Sequence, residues 1–329
     1  MTVTTRAVSA DEADIRLDRW FRRHFPALTQ GVIQKLCRTG QVRVDGRRAG
    51  AATRLVPGQS VRIPPLPAAA PAVPKPALAI DARLQKEAER LVLYRDEQVL
   101  VLDKPHGLAT QGGAGISRHL DGMLEALRFG SEHRPRLVHR LDRDTSGVLV
   151  VARTPGVAAT LAAAFRSRAV EKVYWAVVVG RPVPLEGRID LNLVRVDGFR
   201  GERAAVAGPY DTEVARSLTD YRTLDHAARR LAWLELRPLT GRTHQLRVHC
   251  AAIGAPILGD AVYGQEKEGG NTALVEGLAA QVHLHARRLT LPHPAGGTLA
   301  IEAELPPHML ATFRALGFTA PPVRPPERR

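Results

Sequence analysis

The stretch 139–147 constrains this chain most strongly, because it places charged and hydroxyl side chains between two apolar runs. It reads His-Arg-Leu-Asp-Arg-Asp-Thr-Ser-Gly, and the Val-Leu-Val-Val run that follows predicts a buried strand. Asp142 is then expected at the rim of a core, where burial and nearby arginines can shift the pKa of a carboxyl group. The stretch predicts either a chemical site or an ionic turn in which Asp142 pairs with Arg140 or Arg143.

Residues 15–64 form a small basic unit upstream of this stretch. Apolar residues recur at helical spacing in two short runs, and Val42 and Val44 alternate with polar residues before Asp45-Gly46, a strong hairpin signal. The predicted order is helix, helix, then short strands. Arginines and lysines greatly outnumber the aspartates of this unit, which suits binding to a phosphate backbone better than a solvated face of mixed charge.

The composition of the whole chain points to a polyanionic partner. Its 47 lysines and arginines exceed its 33 acidic residues, giving a net charge of +14, and such an excess most often accompanies nucleic-acid binding. A GC-rich genome would explain why arginine replaces lysine, but not the excess of basic residues. Cys37 and Cys250 form no metal or disulfide pattern, and no apolar run approaches the length of a membrane span. We therefore expect a cytoplasmic protein without membrane association.

The remaining segments predict a second, larger domain. Residues 65–83 are rich in proline and alanine and are expected to form an extended linker. Within residues 84–306, the runs 99–102, 172–179 and 231–236 predict strands, and 157–168 and 243–253 predict helices. Residues 1–14 are expected to be flexible, and residues 307–329 to form a C-terminal tail that is disordered from about residue 321.

Three further segments carry polar residues beside apolar runs. They are 103–107 (Asp-Lys-Pro-His-Gly), 172–176 (Lys-Val-Tyr-Trp-Ala) and 239–249, which continues to Gly259-Asp260 and Tyr263-Gly264. With 139–147 they resemble, in order and separation, the motifs of the RluA-type pseudouridine synthases, and the resemblance extends from about residue 15 to about residue 294. Residues 15–64 resemble the S4 RNA-binding domain. Within the family, 111–116 and 138–148 resemble the large-subunit ribosomal RNA synthases, those of type C above all.

The resemblance implies an α+β fold. It would consist of a synthase domain, built on a mixed, mostly antiparallel sheet with an active-site cleft, and a small N-terminal S4-like domain. The implied reaction converts specific uridines of 23S ribosomal RNA to pseudouridine. The C1′–N1 bond breaks, the freed base turns, and C5 is joined to C1′, so neither a cofactor nor a metal is expected.

The resemblance also implies roles for three residues. Asp142 matches the catalytic aspartate, which acts as a nucleophile at C1′ or at C6; the residues do not decide between these positions. Arg247 matches an arginine that forms an ion pair with the aspartate and holds it ionised. Tyr174 matches the residue that packs against the target base, and it is the candidate for removing the C5 proton. We assign Asp144 to loop structure or to pairing with an arginine.

The target uridine must be flipped out of folded RNA before it can react. Arg140 is the candidate contact near the flipped base, whereas Arg242 and His244 either bind phosphate or hold the wall of the site. The S4-like domain is expected to bind RNA through Arg16, Arg19, Lys35, Arg38 and Arg43.

A non-catalytic relative that binds RNA and assists ribosome assembly is the alternative function. The intact Asp142, Tyr174 and Arg247 favour the enzyme. A metal hydrolase is disfavoured because His244 and His249, five positions apart, do not fit two ligands on one helical face. The expected partner is large-subunit ribosomal RNA, free or in a pre-ribosomal particle, and the protein is expected to act as a monomer.

Overall fold

The structure is a computed structural model that describes residues 3–66, 81–113, 115–198, 201–228, 230–264 and 275–328. The chain divides into two units, Met1–Ala77 and Leu78–Arg329. Most of the expected linker, 65–83, lies outside the described residues, and its end already belongs to the first helix of the second unit.

The N-terminal unit contains two helices and a four-stranded antiparallel sheet in the order β1-β4-β2-β3. Its elements are β1 (Thr4–Ala7), α1 (Leu17–His24), α2 (Gln30–Arg38), β2 (Arg43–Val44), β3 (Arg47–Arg48) and β4 (Ser60–Ile63). Trp20 and Phe21 of α1 are fully buried in its core. Asp45 and Gly46 both have positive φ angles, 49° and 75°, as a two-residue turn between β2 and β3 requires. The predicted helix-helix-strand order is confirmed.

The first residues of this unit differ from the flexible segment expected at 1–14. Residues 4–7 pair with β4 along their whole length. Glu12 is buried and accepts hydrogen bonds from the Ser9 backbone N–H and the Trp20 indole N–H. The local composition is polar, but a strand partner about 56 residues away and a buried carboxylate order the segment.

The second unit is built on one large sheet. Its elements are α3 (Ala82–Glu89), β5 (Val92–Arg95), β6 (Val99–Lys104), α4 (Leu120–Met123), β7 (Arg136–Leu137), β8 (Ser146–Ala152), α5 (Pro155–Arg166), β9 (Glu171–Val179), β10 (Glu186–Gly198), β11 (Gly201–Val206), β12 (Ala215–Ala227), β13 (Leu231–Pro238), α6 (Gln245–Ala252), β14 (Leu284–Pro292), β15 (Thr298–Glu302), α7 (Pro307–Leu316) and β16 (Glu327–Arg328).

The main path of this sheet runs β11-β10-β12-β13-β9-β14-β8-β6-β5. Within the described residues, β14 and β8 form the parallel pair and the other neighbours are antiparallel. The mixed, mostly antiparallel sheet and the α+β class are therefore confirmed. The apolar runs that predicted β6 and β8 are buried on both faces, as strands in the centre of a covered sheet are.

The C-terminal residues differ from the tail expected at 307–329. In α7, Met309 and Phe313 are buried in a cluster with Trp175 and Trp233. Beyond the helix, β16 pairs with β15, so the chain does not lose order at residue 321. The prolines that suggested disorder are compatible with an extended segment that packs on a folded surface. Within the described segments, no helix is both long and apolar enough to traverse a membrane.

Candidate active site and RNA-binding residues

The loop that carries Asp142 joins β7 to β8 and is fixed through its backbone. The Thr110 hydroxyl donates to the Leu141 carbonyl (2.6 Å) and accepts from the Leu141 N–H (3.2 Å). The Asp142 carbonyl accepts from the Thr145 N–H at 3.1 Å. Both sides of the Asp142 Cα are therefore tied down, which is the pre-organisation that a reacting carboxylate needs.

Lys104, at the end of β6, secures the next residue of the loop. Its ammonium group is fully buried and donates to the carbonyls of Pro105 (3.0 Å), Leu108 (2.7 Å) and Arg143 (3.0 Å). An ammonium has three N–H donors, so these bonds satisfy it completely. Burial lowers its pKa to about 8, against the opposing effect of the carboxylates of Asp144, Asp142 and Asp103.

His139 anchors the start of the motif. Its Nε2 accepts the Val150 N–H at 3.0 Å, and its ring stacks on Phe165 with centroids 4.4 Å apart. Burial, with a smaller contribution from the positive charge of Lys172, lowers the pKa of His139 to about 3. The ring is therefore neutral with its proton on Nδ1, and its role is to hold the loop rather than to move protons.

Gly147 lets β8 approach β14 closely. Its φ angle is +106°, and a Cβ atom built there would lie 2.3 Å from the carbonyl oxygen of Ala286. Ala286 pairs with Gly147 on one side and with Tyr174 of β9 on the other. This contact therefore brings the strand that follows Asp142 to within one strand of Tyr174.

Tyr174 packs between the two apolar clusters that meet at the centre of the sheet. Burial raises the pKa of its phenol well above the usual value, and the negative charge of Asp142 raises it further. The phenol is therefore protonated at neutral pH.

Arg247, in α6, differs from the sequence-based expectation in its partner. The residue is 3% exposed, and its Nε and Nη2 groups each donate to a carboxylate oxygen of Asp260 at 2.7 Å. The expectation was an ion pair between Arg247 and Asp142. Among the described residues, no hydrogen bond or ion pair reaches the Asp142 carboxylate. Burial lowers the pKa of Arg247, but the hydrogen bonds and charge of Asp260, with a smaller contribution from the charge of Asp142, raise it above its usual value.

His244 and Arg242 lie in the turn that leads into α6. The turn is held by Gln245, whose Oε1 accepts from the Thr240 hydroxyl and the Arg242 N–H. The backbone of His244 is in the left-handed conformation, with a φ angle of 51°. Its Nδ1 lies 2.9 Å from the Tyr263 hydroxyl. The His244 ring is thus held by Tyr263, whereas the Arg242 side chain is exposed.

The other predicted RNA contacts fall into two groups. Arg140, Arg19, Lys35 and Arg38 are exposed, and none has an ion-pair partner among the described residues. By contrast, Arg16 donates two hydrogen bonds to Asp18 (3.1 and 2.6 Å), and Arg43 donates to the carbonyls of Gly40 and Gly46. The first group is available to a polyanion, while the guanidinium groups of Arg16 and Arg43 already bind protein atoms.

Sequence reasoning assigned no role to Lys104 or Asp260, although each lies in a segment that it singled out. A charged residue at the end of an apolar strand was a signal for Lys104. The partner of Arg247 had no such signal. In the described parts of the chain, no three His, Cys, Asp or Glu side chains gather as a metal site would require.

Comparisons with known proteins identify two families in this chain. Residues 98–252 match the RNA pseudouridylate synthase family model, and residues 15–61 match the S4 domain model. A ribosomal large subunit pseudouridine synthase C of Rickettsia bellii is 34% identical, over 88% of this chain and 94% of the relative. The mitochondrial RNA pseudouridine synthase 4 of Arabidopsis thaliana is 33% identical, over 94% and 80%.

A solved structure shares its fold with most of this chain. Human RNA pseudouridylate synthase domain containing 4 matches with a TM-score of 0.61 and 28% identity, over 73% of this chain and 99% of that one. The match of the family model spans the Asp142 loop, Tyr174 and Arg247. The two relatives named above are 33% and 34% identical to this chain, and the matches cover 80% and 94% of their lengths. The chain therefore belongs to the RNA pseudouridylate synthase family.

Proposed function

We propose that this protein isomerises specific uridines of large-subunit ribosomal RNA to pseudouridine, with Asp142 as the catalytic carboxylate. The observation that carries the proposal is a carboxylate with no bonded partner among the described residues, on a loop whose backbone is fixed on both sides. A structural ionic turn would instead pair Asp142 with Arg140 or Arg143. The names of the similar large-subunit synthases support the choice of RNA.

In the proposed reaction, the Asp142 carboxylate attacks the target nucleotide. An unpaired carboxylate keeps its lone pairs available for a bond to carbon, at C1′ of the ribose or at C6 of the base. The Arg247 guanidinium would supply positive charge to the site, and the Asp142 carboxylate is among the charges that raise the pKa of Arg247. Once the glycosidic bond is broken, the base turns and C5 bonds to C1′. The bond between Asp142 and carbon breaks, which regenerates the carboxylate, and C5 then loses its proton to give pseudouridine.

Tyr174 is proposed to pack against the flipped uracil. Its position between two apolar clusters suits one face of a base, and stacking of this kind contributes about 1–3 kcal/mol per base. As the acceptor of the C5 proton, the phenol would first have to lose its own proton. Burial and the charge of Asp142 oppose that loss. In its protonated form the phenol can pack against the uracil. It can accept the C5 proton only after it has lost its own proton.

RNA binding is proposed to involve both units. Arg140 would contact RNA beside the flipped nucleotide, and Arg242 would contact a phosphate, while His244 acts as part of the wall. In the S4 domain, Arg19, Lys35 and Arg38 would bind the backbone. We further propose that the protein acts as a monomer in the cytoplasm, on free RNA or on an assembling particle.

The catalytic part of the proposal is tested by single-turnover reactions on transcripts of large-subunit and small-subunit ribosomal RNA. We expect pseudouridine in the large-subunit transcript only. Asp142→Asn should abolish it, whereas Asp144→Asn, two residues away in the same loop, should remain active. Equal loss in both variants would assign the effect to the loop rather than to the Asp142 carboxylate.

The RNA-binding part is tested by replacing Arg19, Lys35 and Arg38 together with glutamine. The logarithm of the affinity decreases linearly with the logarithm of the salt concentration, and each phosphate contact contributes roughly 0.7 to 0.9 to the steepness of this line. If each of the three residues binds one phosphate, the line should become shallower by about 2 to 3 in the triple variant. Arg188→Gln is the matched control, because this arginine is exposed but already paired with Asp220. An unchanged slope in the triple variant would remove the S4 domain from backbone binding.

A further inference from the structure

A cavity lies on the face of the large sheet opposite to Tyr174. This far-face cavity has a volume of about 170 Å³, and its walls come from β9, β13, β14, β15 and the C-terminal segment 321–324. Tyr174 and Trp175 are successive residues of β9, so their side chains point to opposite faces of the sheet. Trp175 lines the cavity and packs with residues of α7, whereas Tyr174 packs in the clusters of the other face. The far-face cavity is therefore separate from the candidate active site.

The C-terminal segment is held against this face by hydrogen bonds of its backbone. The Arg287 Nη2 donates to the Pro321 carbonyl at 3.1 Å, and the Arg324 backbone N–H donates to the Glu302 carboxylate at 3.2 Å. Farther along, β16 pairs with β15. The proline-rich segment for which the sequence predicted disorder thus forms one wall of the far-face cavity. Neither of the two bonds uses the Arg324 side chain.

Positive charge is in excess in the far-face cavity. Its lining includes four arginines and two glutamates, which are Arg237, Arg287, Arg288, Arg324, Glu235 and Glu302. Each glutamate has an arginine partner: Glu235 lies 2.9 Å from Arg237, and Glu302 lies 3.3 Å from Arg287. Arg288 is half-buried and Arg324 is exposed, and their guanidinium groups have no hydrogen-bond or ion-pair partner among the described residues. Two positive charges are thus left without a counter-charge.

The wall also contains a buried donor without a partner. Trp175 is 6% exposed, and its indole Nε1 has no hydrogen-bond partner in the described part of the chain. The guanidinium carbon of Arg287 lies 4.5 Å from the centre of the Trp175 ring, and Arg287 is itself fixed by a 2.6 Å bond to the Ala303 carbonyl. Buried polar groups normally have a partner in the protein, in water or in a ligand. The unpaired indole N–H therefore adds a donor to the two unpaired guanidinium groups.

These groups suit a phosphate. A planar guanidinium matches phosphate oxygens with two parallel N–H bonds. The volume is many times the roughly 10–15 Å³ that one water molecule needs, so there is room for a phosphate group. The chain belongs to a family that acts on RNA and carries a net charge of +14. We propose that the far-face cavity binds a backbone phosphate of RNA, as a second contact outside the active site.

The position of the cavity determines which part of the RNA reaches it. The same nucleotides cannot lie against both faces of one sheet, so the bound phosphate does not belong to the stretch that enters the active site. It belongs to another part of a larger folded RNA. The far-face cavity should therefore favour long, folded RNA over a short stem–loop that fits against one face only. This inference goes beyond the proposed function and does not depend on the role of Asp142.

The first test measures RNA affinity with the full chain. The variant combines Arg288→Gln and Arg324→Gln, and two kinds of RNA are compared: a full-length large-subunit transcript and short stem–loops cut from it. For the long transcript, the affinity should fall about 10-fold or more, as expected for loss of a hydrogen bond to a charged group. The plot of log affinity against log salt should become shallower by roughly 0.7 to 0.9, the contribution of one phosphate. The affinity for the short stem–loops should not change.

The matched control combines Arg188→Gln and Arg216→Gln. Both arginines are exposed on the same sheet, but each already has an ion-pair partner, Asp220 for Arg188 and Asp190 for Arg216. This control should bind both kinds of RNA as the wild type does. An equal loss of affinity in the control and in the cavity variant would assign the effect to overall charge and overturn the proposal.

The second test separates RNA from free phosphate. Inorganic phosphate is titrated into the full chain while the indole N–H resonance of Trp175, assigned with Trp175→Phe, is followed by NMR. Phosphate should shift this resonance, chloride at the same ionic strength should not, and the shift should be absent from the cavity variant. A phosphate-induced shift combined with unchanged affinity of the cavity variant for the long transcript would indicate a site for free phosphate and overturn the RNA contact.

The outcomes remain decisive if the double substitution disturbs folding. Arg324→Gln alone removes an exposed side chain without a described partner, and it too should weaken binding of the long transcript. Unchanged affinity in Arg324→Gln and no phosphate-induced shift in the wild type would together remove the site. Both tests measure binding. A wild type that binds RNA without isomerising it would therefore overturn the proposed function and leave this inference standing.

Discussion

Replacing Gly147 with alanine should lower both the stability of the protein and its catalytic rate. At Gly147, β8 lies so close to β14 that the gap has no room for a Cβ atom. The added Cβ would lie 2.3 Å from the Ala286 carbonyl oxygen and 2.8 Å from the Ala286 nitrogen and carbonyl carbon. These are backbone atoms in a paired strand, so they cannot rotate away as a flexible side chain could. Either β14 moves outward or the end of the Asp142 loop does.

Two costs set the size of the effect. A non-glycine residue at a φ angle of +106° costs of order 1–3 kcal/mol. Overpacking against a rigid neighbour costs about 1–3 kcal/mol more. The sum, about 2–6 kcal/mol, is a large part of the roughly 5–15 kcal/mol that stabilises a typical domain. At an m-value of about 3 kcal/mol/M, the urea midpoint should fall by about 0.7–2 M.

The unfolding of this unit can be followed by the near-ultraviolet circular dichroism of the Trp175–Trp233 pair, whose rings lie 4.8 Å apart at 78°. The rate should also fall roughly 10²-fold, because Ala286 connects the strand of Gly147 to that of Tyr174. Gly156→Ala in α5 is the control, since a Cβ there meets nothing within 4 Å. The reasoning is refuted if Gly147→Ala keeps the wild-type midpoint and rate.

Two further predictions concern pH. The pKa of Lys104 is lowered to about 8. Above that pH its ammonium group loses a proton, and with it one hydrogen bond to the loop, so the single-turnover rate should fall and the rate profile should show an alkaline limb. The Lys104→Met variant should be slow at every pH and should lack this alkaline limb. An alkaline limb that survives in Lys104→Met would assign it to another group. Burial alone would raise the pKa of Glu12, but hydrogen bonds from Ser9, Trp20 and His24 lower it from 4.5 to about 2. Since the folded-state value is the lower one, this carboxylate stabilises the S4 domain above pH 4.5, and the stability is lost as the pH falls toward 2. Trp20 fluorescence should report acid unfolding of this domain, and the acid sensitivity should be smaller in Glu12→Gln; equal sensitivity in both proteins would exclude Glu12 as its cause.

Local patterns predicted the elements well where a residue's conformation depends on its neighbours in sequence. The β-branched run after residue 147 became the buried strand β8, and Asp45-Gly46 formed the hairpin turn. The ends of the chain were predicted wrongly, for a common reason. Residues 4–7 and β16 are ordered by strands far away in sequence, and a polar or proline-rich composition carries no information about such partners.

The motifs supplied Asp142, Tyr174 and Arg247 as candidate site residues, and the negative charge of Asp142 contributes to the raised pKa of each of the other two. The sequence did not predict that Asp260 is the partner of Arg247. The partner of Arg247 depends on how the turn after α6 folds back on the helix, which no spacing in the sequence encodes. The same holds for Gly147, whose contact with Ala286 joins strands that are 139 residues apart.

The measurement that tests the central claim most directly is a map of pseudouridine in total RNA from three strains: one with the wild-type gene, one with the gene deleted, and one encoding Asp142→Asn. The same large-subunit ribosomal pseudouridines should be missing from the deletion and Asp142→Asn strains, while all others remain. A map that loses sites in the deletion but keeps them in Asp142→Asn would contradict the catalytic role of this carboxylate. A map unchanged in both would contradict the proposed activity on ribosomal RNA and favour a protein that binds RNA without modifying it.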